Sequence, residues 1–148
     1  MHRHDIIMRL NTNVESFMIR KVAISLVAVA LIASASSATH NVESPAFAAA
    51  LPNVPGKTLT GIVVRYAPGQ RSPAHMHAGS VMAYVLSGSI RSENSATGPV
   101  KVYMAGEAFF EPPGSRHLVS ENASATEPAS LLAIFVADDG AQLTGPVK

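Results

Sequence analysis

His75 and His77 stand two residues apart in the short run Ala74–His77. In a β-strand, side chains two apart project from the same face, so one strand would deliver two imidazoles to one point. His117 follows the tight Pro112-Pro113-Gly114 turn, at the start of what reads as a returning strand. The remaining histidines fall elsewhere: His2 and His4 precede an apolar N-terminal run, and His40 lies in a stretch rich in alanine and proline. A single histidine is most often a surface or hydrogen-bonded residue, so the weight rests on the set. Three neutral imidazoles suit Fe, Zn, Ni or Cu better than Mg or Ca. The chain has no cysteine, which excludes disulfides, thiolate ligands, a cysteine nucleophile and a lipoprotein anchor. Any metal must therefore be held by nitrogen and oxygen. Glu111, immediately before the Pro-Pro-Gly turn, is the carboxylate that could swing in beside His117, although a glutamate before a turn is ordinarily solvated.

The elements that must position these groups read as strands. From Lys57 onward, short runs rich in Val, Ile, Tyr and Phe are broken at close intervals by Gly, Pro, Ser and Asn, the pattern of an all-β domain. The expected strands are Leu59–Ala67, Ala74–His77, Val81–Leu86, Ser89–Ser92, Val100–Tyr103, Ala108–Glu111, Arg116–Glu121 and Ser130–Ala137. Eight short strands in that length fit a closed barrel or two-sheet jelly roll. Tyr84, Tyr103, Phe109, Phe110 and Phe135 are expected mainly in the core. Arg71 and Arg91 read as solvated, or as cations near the barrel mouth that would hold a carboxylate. The organisation expected is an N-terminal signal over 1–38, a linker or arm over 39–56, the β domain over 57–140 and a tail over 141–148.

The signal is read from Arg20-Lys21, the 12-residue apolar run Val22–Ala33 and the small-residue exit Ser34–Ala38. Basic head, short apolar middle and small-residue exit are the parts of a secretory signal peptide. The run is short of the about 20 residues that span a bilayer, so no stable membrane anchor is expected after cleavage. Cleavage is expected after Ala35 or Ala38, and Asp5 and Glu15 ahead of the basic head suggest Met18 as the true start. The mature protein would then be periplasmic or secreted. Counting from Thr39 leaves seven bases and eight acids, with no basic stripe to attract nucleic acid.

Two spacings carry a family resemblance. Gly69, five residues, His75-Met76-His77 and then Gly88 resemble the first cupin motif, G-x5-H-x-H-x3,4-E-x6-G. Gly106, five residues, Pro112-x-Gly114, two residues and His117 resemble the second, G-x5-P-x-G-x2-H-x3-N. The resemblance covers about Leu59 to Asp138 and implies a cupin-type double-stranded β-helix, a jelly-roll barrel, with His75, His77 and His117 on one divalent transition metal (Fe, Mn, Ni, Zn or Cu). The sequence departs from the pattern twice. Val81 stands where the family places a glutamate ligand, and Glu121 stands where it places an asparagine, with Asn122 one residue late. Some cupin dioxygenases, the cysteine dioxygenase group among them, are similar in using three histidines without that glutamate.

Two functions follow from different classes. The first is a metal-dependent enzyme, an oxygenase or related lyase or isomerase on a small organic molecule, because three protein ligands leave coordination positions open. The second is a non-catalytic periplasmic module that binds or senses a small ligand or metal, since cupins serve both roles and the fold does not decide between them. The resemblance also implies a homodimer paired through edge strands, with the arm from Pro45 to Pro55 taking part.

Overall fold

The computed structural model describes residues 41–147. The signal segment, with its cleavage sites and Met18, lies outside the described residues. Among these, the chain is all β: β1 (Val42–Ala50), β2 (Lys57–Tyr66), β3 (His75–His77), β4 (Ser80–Ser87), β5 (Ser89–Asn94), β6 (Gly98–Met104), β7 (Ala108–Glu111), β8 (Arg116–Asn122), β9 (Ala129–Asp138) and β10 (Thr144–Pro146). They form two five-stranded antiparallel sheets, ordered β1-β2-β9-β4-β7 and β10-β3-β8-β5-β6. The sheets face each other across one core, which includes Val64, Val85, Ile90, Leu131 and Phe135.

Strict alternation builds that core. β9 reads buried and half-buried residue by residue from Ala129 to Ala137, as a strand with one face in a core and one outside must. Gly88 makes the β4–β5 turn at φ 68°. A Cβ there would lie 2.6 Å from the Pro128 carbonyl oxygen, so both backbone angle and space demand glycine.

All eight expected strands are present as β2 to β9, and two more flank them. β1 pairs along β2, with a register shift between Pro45 and Phe47. Proline is tolerated there because an edge strand or bulge does not need its missing N–H. Phe47 lies over Gly61, where a Cβ would come within 2.4 Å of the ring. β10 pairs with β3, so part of the segment expected as a tail belongs to the second sheet. Among the aromatics, Phe109 and Phe135 are core residues, and Tyr103 packs partly buried against them. Tyr84 and Phe110 are not core: they are 39% and 50% exposed, on outward positions of β4 and β7.

Candidate metal centre

β3 and β8 bring the three histidines together. His75 and His117 are direct cross-strand partners, and His77 lies two residues along β3 on the same inward face. The ring centroids of His75 stand 4.7 Å from His77 and 4.9 Å from His117. One ring nitrogen from each residue lies within 4.8 Å of the other two. His77 and His117 are buried and His75 is half-buried, at the base of a cavity of about 380 Å³ between the sheets.

Hydrogen bonding leaves a lone pair on each ring. His75 Nδ1 is 2.7 Å from the Pro73 carbonyl and His77 Nδ1 is 3.1 Å from the Leu143 carbonyl. A carbonyl only accepts, so both Nδ1 atoms carry the proton and both Nε2 atoms are free. His117 Nε2 lies 2.9 Å from Ser92 Oγ. Its Nδ1 is buried, and no atom meets it in hydrogen-bond geometry, the Glu111 Oε2 at 3.1 Å included. A buried polar atom without a partner is costly, and a metal ion in reach of all three rings would remove that cost. Burial lowers the pKa of His75 and His77 and outweighs the opposing pull of Glu111 and of the carbonyls of Pro73 and Leu143. Both are thus held in the neutral form that ligates metals. The three histidines are positioned to bind one divalent metal ion, and the donor set fits such an ion.

Glu111 is inside, not solvated. It is 2% exposed, and its Oε2 lies 3.1 Å from His117 Nδ1 and 3.8 Å from His77 Nε2. Asn94 Nδ2 donates to the same oxygen at 3.2 Å. Burial alone would raise the pKa of this carboxyl, but contact with His117 and the neighbouring His77 and His75 bring it below the ordinary range. Val81, 1% exposed, also lines the cavity. It is the direct cross-strand partner of Glu111 in the β4–β7 pair. The carboxylate missing from β4 therefore has a counterpart one strand away.

The second departure has a local cause. A register irregularity where β5 meets β8, at Glu93/Asn94, turns Ser120 and Asn122 inward and leaves Glu121 half-exposed, paired with Arg91. Asn122 is buried, and its amide donates to the carbonyls of Ala67 and Glu127. Arg91 is thus occupied on the outside of the barrel. Neither it nor Arg71 lines the cavity.

Sequence reasoning missed five contributors. Leu143 and Thr144, from the expected tail, both reach His77 Nδ1, Thr144 Oγ1 at 3.2 Å. Glu43 and Asn41, from the expected linker, line the cavity mouth. Tyr66, buried in the wall, is hydrogen-bonded to Ser72 and Ser120, and burial raises its pKa despite those bonds. It remains a protonated donor. No motif marks these residues, because their place depends on which strands pair.

Two sheets folded into a double-stranded β-helix, with imidazoles converging inside from adjacent strands, define a class of β-barrels with an inward-facing histidine cluster. A family model for the cupin domain matches residues 62–135, half of the chain, and the chain belongs to that family. No curated protein matches the sequence. Among solved structures, a Klebsiella pneumoniae protein with a double-stranded β-helix domain is 22% identical over 74% of this chain and 85% of its own, with a TM-score of 0.57. A DMSP lyase of Ruegeria pomeroyi is 20% identical, with a TM-score of 0.52, over 60% of this chain and 43% of the lyase. An oxalate decarboxylase of Bacillus subtilis is 25% identical, with a TM-score of 0.53, over 60% of this chain and 24% of the decarboxylase. The chain thus spans less than half of either enzyme, and the first two likenesses are likenesses of fold.

Proposed function

We propose that this cupin is an exported metalloprotein that holds one divalent transition metal through His75, His77 and His117, with Glu111 as a fourth, anionic ligand, and acts as an enzyme on a small organic molecule. The observation that carries the reading is the pairing of Val81 with Glu111. It supports a carboxylate beside the three imidazoles despite the valine in the motif. The ion would supply Lewis-acid or redox chemistry at the cavity base. The chain's own residues set the rest. Pro73 and Leu143 carbonyls fix the tautomers of His75 and His77. Asn94 orients Glu111. The apolar wall, Phe135 and Phe109 among it, limits water around the reacting groups.

Metal analysis of protein purified from its own periplasm tests the reading. About one first-row transition metal per chain is expected, and none in the His75→Ala/His77→Ala/His117→Ala variant. Equal metal in both would refute it. Oxygen uptake by the iron-loaded protein against thiols, diketones and phenolics separates an oxygenase from a non-catalytic binding module. Export is supported by the three-part N-terminal segment and is tested by N-terminal sequencing of the recovered protein. Cleavage after Ala35 or Ala38 is expected, whereas full-length chain in the membrane fraction would make Val22–Ala33 an anchor.

A further inference from the structure

The charges lining the cavity are one-sided. Among the described residues, no lysine or arginine lines it, whereas two carboxylates do: Glu111 at the base and Glu43 at the mouth. Glu43 is not there by accident of a loose arm. Its register partner on β2 is Val64, a core residue, so Glu43 sits on the inward face of the first sheet. A line of hydrogen bonds then ties it to the cavity wall. Ser72 Oγ donates to Asn41 Oδ1 at 3.0 Å. A hydroxyl has one proton, so Tyr66 must donate to Ser72 at 2.9 Å, and Ser120 to Tyr66 at 2.9 Å. Asn41 Nδ2 completes the line by donating to Glu43 Oε1 at 3.0 Å. All five residues line the same cavity. Among the described residues the Glu43 carboxylate has no ion-pair partner, and its one hydrogen bond is that from Asn41.

Charge balance then selects the ligand class. A divalent ion beside Glu111 keeps one net positive charge, which an anionic head on the ligand would neutralise. A second anionic group would meet Glu43 and, among the described residues, no lysine or arginine on the cavity lining, and a buried charge without a partner is expensive. A cationic group at the mouth would instead pair with Glu43. We propose that the cavity takes a small zwitterion, with its anionic head toward the three histidines and its cationic end against Glu43. The cavity volume suits a ligand of a few non-hydrogen atoms to a small metabolite. This inference rests on the metal reading given above and adds the chemical class of the ligand.

A matched pair of probes tests it. Trimethylglycine and 3,3-dimethylbutanoate have the same shape and the same carboxylate, and differ in a cationic nitrogen replaced by carbon. The purified protein is first assayed for metal, then titrated with each probe by calorimetry. Glu43 is exposed, and pairing of an exposed carboxylate with a cation is worth up to about fivefold in affinity. Trimethylglycine should therefore bind about two- to fivefold tighter in the wild type. Glu43→Gln, which retains a group for Asn41 to donate to, should abolish that preference with metal content unchanged. Asn41→Ala should give an intermediate preference, since the charge stays but its tether is lost. Equal or tighter binding of 3,3-dimethylbutanoate, binding of neither probe, or a preference that survives Glu43→Gln would overturn the zwitterion while the metal reading stood. A wild-type protein that holds no metal would overturn both.

Discussion

At position 81 the sequence departs from its family, and the β4–β7 pairing shows why the departure does not empty the site of carboxylate. Val81 and Glu111 face each other across that pair, and both are buried. The histidines were legible because an HxH spacing in a strand fixes a common face. Glu111 was legible as a carboxylate that could swing in beside His117, but its place opposite Val81 was not, because sequence gives no register between β4 and β7. Glu111→Gln should weaken metal binding at least about tenfold, by loss of an anionic donor, measured by competition with a chromophoric chelator. Unchanged affinity would remove Glu111 from the shell. Val81→Glu alone places a second carboxylate opposite the first and should destabilise the metal-free protein by about 3 kcal/mol or more. The exchange Val81→Glu/Glu111→Val should restore stability and metal content together. The protonation states give a further test. His75 and His77 lie below the ordinary imidazole value of 6.5, so below that value the unfolded chain binds protons that the folded chain does not. Stability of the chelated protein is therefore full above about pH 7 and falls as pH drops through about 6.5. Glu111, lowered from 4.5, adds stability that is present above that value and lost at more acid pH. Thermal midpoints from pH 8 to pH 5 check the sign, and a midpoint that rose on acidification would contradict it.

The strands β2 to β9 were legible as elements because each carries alternating or β-branched sequence closed by a turn signal, as β9 does over Ala129–Asp138. β1 and β10 were not. β1 contains Pro45 and several alanines, a composition that disfavours strands, and it is held by its partner β2. β10 is Thr-Gly-Pro, too short for any period. Both matter to the site, since β1 carries Glu43 and the β10 segment holds His77. Removing residues 141–148 would take away the Leu143 carbonyl and the Thr144 hydroxyl from His77 Nδ1. Outer partners of metal-bound histidines typically set ten- to hundredfold in affinity, so the truncated protein should bind metal about that much more weakly while retaining its β signal in circular dichroism. Thr144→Val should have a smaller effect, because the Leu143 carbonyl remains. Wild-type affinity in the truncated protein would show that β10 covers the barrel without orienting its ligand.

The proposed donor set also spans the two sheets. His75, His77 and His117 come from β3 and β8 of one sheet, and Glu111 comes from β7 of the other. The two sheets otherwise meet through apolar packing, with Phe109 and Phe135 in the core, and through the Tyr66–Ser120 and Asn94–Glu111 hydrogen bonds. An ion held by both sheets, as proposed, would bind the folded chain and not the unfolded one, because the four proposed donors are scattered over residues 75 to 117. Linkage then makes metal a stabiliser: at a hundredfold excess over Kd the gain is about 2.7 kcal/mol. For a domain of this size each kcal/mol moves Tm by roughly 4–8 °C, so chelation should lower Tm by about 10–20 °C. The fourth ligand makes the prediction specific to a clamp between sheets. With Glu111→Gln the ion would be held by one sheet alone, and its affinity, and with it the metal-dependent rise at fixed metal concentration, should shrink. Differential scanning calorimetry with and without chelator, on wild type and Glu111→Gln, reads both. If the metal-dependent rise is the same in the two proteins, the ion belongs to the histidine sheet only. The sheets would then be joined by packing, not by metal.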